Sequence, residues 1–312
     1  MTRHYSVLLN ESIDALKIKE DGIYVDGTLG RGGHSLEIAK HLTTGHLYSF
    51  DLDDQAILES TERLSEVADR VTLIKSNFAQ MKEKLAELGV DRIDGAVMDL
   101  GVSSPQFDDG ERGFSYRYDA RLDMRMDQTQ AESAWNLVNE LDEKQISDLL
   151  WKYGEESFSR QIARQIVKAR QEKTIDTTFE LVDVIRKALP ARVLNKKGHP
   201  AKQTFQALRI AVNHELDSLE TGLQSAMDLL KPQGRVAVIT FHSLEDRIVK
   251  EAFRQASSSP KIDPRIPLMP DQIEKPRFTL ITRKPILPDE KELGENNRSH
   301  SAKLRVIERN SE

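Results

Sequence analysis

Between residues 22 and 100, short β-rich runs alternate with segments whose apolar residues recur at helical spacing. The runs at 23–26, 46–51, 71–75 and 93–100 predict strands, and the segments between them, at 34–41, 54–68 and 80–88, predict helices. In the second helix Ile57, Leu58, Thr61, Leu64 and Val67 mark one face. Strands that alternate with helices across short connections build a parallel sheet covered on both sides, so the expectation is an α/β fold of the doubly wound kind.

The alternation stops at Leu100. From there to residue 233 the pattern is polar and helical, and the next convincing strand is 234–241, Gly-Arg-Val-Ala-Val-Ile-Thr-Phe. The simplest organisation is one α/β domain made of residues 1–107 and 214–312, interrupted by a helical insertion at 108–213. Two further runs, 277–283 and 302–307, are expected to close the sheet as an antiparallel pair. The proline-bearing stretch 257–270 reads as a loop, and no internal repeat is visible.

A chain of 312 residues, 31% charged and 38% hydrophobic, can bury a substantial core and stay well hydrated. The first eleven residues include acids and amides, and no segment approaches 18 continuous apolar residues. Neither a signal peptide nor a membrane span is expected, and the cytoplasm is the default compartment. Cysteine is absent, which removes disulfides, thiolate metal sites and any cysteine nucleophile. The net charge of −6 argues weakly against a nucleic-acid partner. Its distribution argues the other way: between Val184 and His214 there is no acid, while Arg186, Lys187, Arg192, Lys196, Lys197, Lys202 and Arg209 supply seven positive charges, leaving −13 on the rest.

The first predicted strand ends at Asp26 and runs through Gly27-Thr28-Leu29-Gly30-Arg31-Gly32-Gly33 into a helix at His34. Glycines in such a turn let backbone approach a ligand and present helix N-terminal amides to it. Asp51, at the end of the second strand, is placed to take the hydroxyls of a ribose. Together they indicate a nucleoside-containing cofactor. A nicotinamide dinucleotide would want glycine where Ser35 stands, and an acid before the glycines resembles instead the E/D-x-G-x-G-x-G motif of class I S-adenosylmethionine methyltransferases, with Thr28 in place of its first glycine. Asp53 and Asp54, just ahead of a helix, read as caps and not as metal ligands. Phe78 follows the third strand, where an aromatic could pack against an adenine or equally serve as a core residue.

The fourth strand leads into Asp99-Leu100-Gly101-Val102-Ser103-Ser104-Pro105-Gln106-Phe107. This resembles the S/D/N-P-P-Y/F motif of amino-group methyltransferases, with Ser104-Pro105 kept and Gln106-Phe107 replacing Pro-Tyr. A nucleobase amine is a poor nucleophile because its lone pair is delocalised, so an enzyme must orient it; oxygens of Ser103 and Ser104 or nearby carbonyls could accept its two N–H groups. Ser243 and Asp246 read as a capping box after the fifth strand, and His242 is given no catalytic role. In the insertion Phe158, Ile162 and Ile166 form a core stripe, and Arg160, Arg164 and Lys168 a basic one. With the acid-free stretch, the basic stripe points to phosphate contact.

These residues, with Glu111-Arg112-Gly113-Phe114-Ser115, Leu122-Asp123-Met124-Arg125-Met126-Asp127, Tyr153-Gly154-Glu155-Glu156, Thr204 to Ile210 and Phe241 to Arg247, resemble the RsmH (MraW) family of ribosomal small-subunit RNA methyltransferases over essentially the full chain. The resemblance implies a class I, Rossmann-like methyltransferase sheet with an inserted helical domain for RNA recognition. It further implies transfer of a methyl group from S-adenosyl-L-methionine to N4 of one cytidine in the decoding region of 16S ribosomal RNA, with the assembled small subunit as substrate. Gly32, Gly33, His34, Asp51, Phe78, Asp99 and Gln106 would bind the cofactor. Ser103, Ser104 and Pro105 are assigned to the target amine by analogy with other amino methyltransferases, and Lys196, Lys197, Lys202 and Arg209 to RNA. A homodimer is allowed by the sequence without being indicated by it. The rival readings are a non-catalytic RNA-binding or assembly factor that retains a cofactor fold, and a nicotinamide oxidoreductase, which Ser35 and Asp26 disfavour.

Overall fold

The computed structural model describes residues 6–101, 110–195, 198–259, 275–296 and 298–311. They form two compact units, residues 1–101 with 217–312 and residues 102–216. The strands are β1 Ile23–Asp26, β2 His46–Asp51, β3 Val71–Lys75, β4 Ile93–Asp99, β5 Leu230–Thr240, β6 Phe278–Leu280 and β7 Lys303–Arg309. The helices are α1 Leu9–Leu16, α2 Gly33–His41, α3 Asp54–Arg63, α4 Met81–Glu87, α5 Ala134–Glu140, α6 Glu143–Gly154, α7 Ser159–Glu172, α8 Thr178–Ala188, α9 Ala191–Leu194, α10 Lys202–Asn213, α11 Glu215–Leu229, α12 Ser243–Ala256 and α13 Glu290–Glu295.

The first unit holds one seven-stranded sheet in the order β3-β2-β1-β4-β5-β7-β6. The first five strands are parallel, and β7 and β6 close the edge antiparallel. Side chains alternate across it, as the pleat requires. Val236 and Val238 of β5 turn to one face, with Met98, Leu223 and Phe253. Ala237 and Ile239 turn to the other, with Ile38, Leu47 and Val306. Both faces are covered, which is why β5 reads as an unbroken apolar run and not as an alternation.

The strands expected at 23–26, 46–51 and 71–75 occur as read. The helix expected over 54–68 does not: α3 stops at Arg63, and a 3-10 turn follows over Ser65–Arg70 with Val67 at a non-helical φ of −125°. The kink lets Leu64 and Val67 both enter the core, while Leu58 faces solvent with 73% of its surface exposed. β5 begins four residues earlier than expected, because its start passes through Pro232 and a left-handed Gln233, which read as turn residues. Only Phe278–Leu280 of the expected 277–283 strand is regular; Thr282 Oγ1 then takes the Val306 N–H at 2.8 Å. Of the loop expected at 257–270, residues 260–270 lie outside the described residues.

The second unit is helical, α5 to α10, around its own core of Leu150, Ile162, Ile166, Ile185 and Leu208 among others. Phe158 packs on that core with Ile162 and Ile166, as the stripe predicts. Reciprocal caps start two of the helices, Asp142 with Gln145 and Thr177 with Glu180. Gly154 lets α6 and α10 close together; a Cβ there would stand 2.7 Å from the Gln203 carbonyl. The segments around 112 and 125 are fastened by buried polar groups. Arg112 donates to the Arg125 carbonyl at 2.9 Å, and Asn213 bonds the Met124 carbonyl at 2.8 Å and the Met126 N–H at 2.7 Å.

Candidate active site

Strand order reverses between β1 and β4, and such a switch point opens a crevice at the carboxyl ends of the strands. The turn after β1 is pinned there on three sides. Gly27 N donates to the Val97 carbonyl of β4 at 2.9 Å, Leu29 N to the Phe50 carbonyl of β2 at 2.8 Å, and Ser60 Oγ to the Gly30 carbonyl at 2.9 Å. Beneath it Asp26, 1% exposed, accepts from Thr28 N at 3.0 Å and Ser35 Oγ at 2.7 Å, and Ser35 Oγ meets Ser49 Oγ at 2.8 Å. Gly32 caps α2 at φ +71°, a left-handed conformation that glycine adopts without strain. Asp26 thus builds the turn, and the turn delivers Gly33 and His34 to the crevice.

Asp51 holds the far wall. Its Oδ2 accepts from Gly30 N and its Oδ1 from Asp53 N, both at 2.9 Å, which leaves each oxygen a second lone pair for a ligand hydroxyl. At the end of β4, Asp99 N donates to Thr28 Oγ1 at 2.6 Å, joining this wall to the glycine turn. Asp99 Oδ2 lies 3.7 Å from His34 Nδ1. Asp99 Oδ1 and His34 Nε2 are both buried without a hydrogen-bond partner among the described residues. Phe78 has its Cβ against Gly27, while its ring lies on Gly222 of α11, where any Cβ would collide with it. Gly101, at φ +127°, passes close to the Phe241 ring.

Burial pushes the Asp26 and Asp51 carboxyls each up to about 6. Asp99 is driven well above the usual carboxylate range, by burial first and then by repulsion from Asp26, Glu245 and Glu292. His34 is pushed down to about 4, also by burial, so its imidazole is neutral at pH 7 and is not a counter-ion for Asp99. No lysine or arginine among the described residues pairs with Asp26, Asp51 or Asp99. Two carboxyls at the crevice, Asp51 and Asp99, over a third buried beneath the turn at Asp26, without a cation, fit a ligand that brings positive charge and hydroxyl donors, and fit an anionic pyrophosphate poorly.

The structure therefore gathers Gly32, Gly33, His34, Asp51 and Asp99 at one sheet edge, with Phe78 beside the turn by its Cβ and its ring turned to the core. Ser103, Ser104, Pro105 and Gln106 lie outside the described residues, as do Lys196 and Lys197. Lys202 is exposed at the start of α10. Arg209 forks its Nε and Nη2 onto Glu215, at 2.8 Å each, with both side chains largely buried. The α12 cap differs from expectation. His242, not Ser243, occupies the cap position, and Glu245 closes the box by accepting from His242 N at 3.3 Å while also taking Phe241 N at 2.8 Å. Asp246 instead pairs with Lys303 and Arg305. Asp53 does cap α3, through Gln55 N at 3.1 Å, and Asp54 pairs with Lys75.

The sequence profile of the MraW methylase family matches residues 1–310. Two relatives are named ribosomal RNA small subunit methyltransferase H. That of Exiguobacterium sibiricum is 55% identical over 312 residues, covering 100% of both chains, and that of Limosilactobacillus fermentum is 53% identical over 308, covering 98% of each. The chain belongs to the MraW methylase family. It is a methyltransferase, and S-adenosylmethionine is the methyl donor of that family. Solved structures resemble it only distantly. An rRNA methylase from Streptococcus thermophilus shows 12% identity and a TM-score of 0.42 over 97% of this chain and 93% of that one. A SAM-dependent O-methyltransferase from Thermotoga maritima shows 9% and 0.42 over 100% and 69%.

Reading the sequence for ligand contacts passed over Thr28, the Ser35–Ser49 pair and Glu245, which hold the site's walls. A threonine, two serines and one more glutamate carry no motif signal of their own. Thr28 follows β1, Ser49 lies on β2, Ser35 on α2 and Glu245 on α12, and only the fold brings them to the same strand ends.

Proposed function

We propose that this methyltransferase acts on the small-subunit ribosomal RNA, at N4 of one cytidine in the 16S decoding region, with the assembled small subunit as substrate. The observation that carries the cofactor side of this reading is the pair of carboxyls without a cationic partner, Asp51 and Asp99, at the ends of β2 and β4 beside the glycine turn that Asp26 builds. Asp51 would take the ribose hydroxyls, Asp99 a cationic group, and the first turn of α2 at Gly33 and His34 would close over the ligand from the side of β1. The bound cofactor supplies an electrophilic methyl group on a sulfonium, open to direct in-line attack by the amine without a covalent enzyme intermediate. The protein's own part is orientation and exclusion of water. The sequence supports this over the covalent route to C5 of pyrimidines, because the chain has no cysteine. Ser103, Ser104 and Pro105, following Asp99 in sequence, are proposed to hold the amine.

The helical unit is proposed to grip the flanking RNA. Arg186, Lys187, Arg192 and Lys202 are exposed and carry no ion pair among the described residues, and exposed unpaired cations are what a phosphate backbone recruits. Arg160 and Lys168 stand exposed on α7 in the same way, while Arg164 lies 3.7 Å from Glu143. The cytidine must leave its stack unless the RNA presents it unpaired, at a cost of a few kcal/mol. The test is transfer of labelled methyl from S-adenosylmethionine to three substrates: small subunits lacking the modification, protein-free 16S RNA and large subunits. Label in the small subunit alone is expected. Equal label in the large subunit overturns the substrate assignment.

A further inference from the structure

The first described residues of the chain lie against the glycine turn and the start of α2. Ser6 Oγ stands over the α-carbon of Gly33, where any Cβ would collide with it, and the Val7 backbone faces the His34 imidazole. Leu8 then turns the chain into α1 with φ +51° and ψ +37°, a left-handed conformation unusual for a branched residue, although its side chain is fully buried. Such a conformation persists where its surroundings fix it. One fixture comes from the far end of the sequence: Leu8 N donates to Glu292 Oε1 at 2.9 Å, across 284 residues. Glu292 is itself held on α13, where its N–H bonds the Asp289 carboxylate at 2.7 Å. Burial, with Glu11 and Asp289 nearby, raises its pKa, and its charge reaches Asp99 across the crevice.

We propose that Glu292 is a positioning residue that clasps the strap Ser6-Val7-Leu8 against Gly33 and His34, and so sets the affinity of the crevice for its cofactor. The strap supplies a wall that the glycine turn lacks. Glu292 touches no reacting atom; it acts by fixing the backbone of Leu8, which fixes where Ser6 and Val7 lie. The inference rests on the cofactor reading of the crevice given above.

The test compares Glu292→Ala with Glu292→Gln, using S-adenosylhomocysteine titrated calorimetrically and steady-state kinetics with S-adenosylmethionine. Gln keeps an oxygen that accepts from Leu8 N–H; Ala keeps none. E292A should raise the Kd and the cofactor KM about tenfold, the loss of one buried hydrogen bond and the order it imposes, with kcat at saturating cofactor changed less than threefold. E292Q should stay within about threefold of wild type throughout. A wild-type Kd retained by E292A, or an E292Q as impaired as E292A, overturns the clasp while leaving the crevice reading intact. A wild-type protein that takes up no S-adenosylhomocysteine overturns both. Should E292A fail to fold, the wild type still decides. S-adenosylhomocysteine should slow hydrogen exchange at the Leu8 amide at least tenfold, and unchanged exchange there overturns the proposal.

Discussion

Replacing Asp51 by Asn isolates one wall of the crevice. In the wild type the Asp51 carboxyl, pushed up to about 6 by burial, keeps its proton well above the ordinary range. Two ribose hydroxyls donating to it would favour the charged form and return it toward 3.8. The free protein then binds a proton that the complex releases, so affinity for S-adenosylhomocysteine rises with pH up to about 6 and levels above it. Between pH 5 and pH 7 this group alone should give about a tenfold gain. Asn cannot titrate, so D51N loses that slope. It also exchanges a charge-assisted hydrogen bond of about 1.5–3 kcal/mol for a neutral one of about 0.5–1.5 kcal/mol, a loss of about 1–1.5 kcal/mol, which is about 5- to 13-fold in Kd at pH 7.5. Asp26 and Asp99 titrate in both proteins, so the difference between the two pH profiles reports Asp51. Calorimetric titration at pH 5, 6, 7 and 8 supplies both numbers. A D51N protein with wild-type affinity at pH 7.5, or with the wild-type slope, refutes the ribose assignment.

Other consequences follow from the same geometry. His34 is held neutral down to about 4 whereas the unfolded chain takes its proton near 6.5. The stability tied to that neutral ring is therefore complete above 6.5 and is lost as pH falls toward 4, by up to about 3 kcal/mol. Urea melts at pH 7 and 4.5 should show less acid loss in H34N than in wild type, and equal loss contradicts the burial argument. Gly222→Ala drives a Cβ into the Phe78 ring and should cost about 1–3 kcal/mol of stability in the same assay. Arg209→Ala strands Glu215 largely buried and should cost about 3 kcal/mol, with no change in the salt dependence of RNA binding. Replacing Arg186, Lys187 and Lys202 together by Ala should do the reverse: each lost phosphate contact flattens the salt slope by about 0.7–0.9, while S-adenosylhomocysteine binding stays put.

The parallel core of the sheet was legible because β1, β2, β3 and β4 are short apolar runs bounded by turn residues, a local signal. So was the position of Asp51 and Asp99 at strand ends. What escaped was set by packing. Leu64 and Val67 enter the core only because the helix breaks before them, and no periodicity announces that break. Arg209 reads as one more cation in an acid-free stretch, yet Glu215 lies six residues on, just past the end of that stretch, and the turn after α10 folds the two together. His242 reads as an isolated histidine until the cap of α12 gives it a place. Glu292 lies in a charged run near the C-terminus, and its bond to Leu8 spans nearly the whole chain, beyond reach of any sequence spacing.

The central claim is a methyl group carried to the exocyclic amine of a cytidine in small-subunit RNA. Its most direct test digests the RNA from small subunits methylated by this protein and identifies the labelled nucleoside by mass spectrometry. The account predicts N4-methylcytidine at a single site in the 16S decoding region. Label on a ring carbon, on a ribose oxygen or on a different base would contradict it.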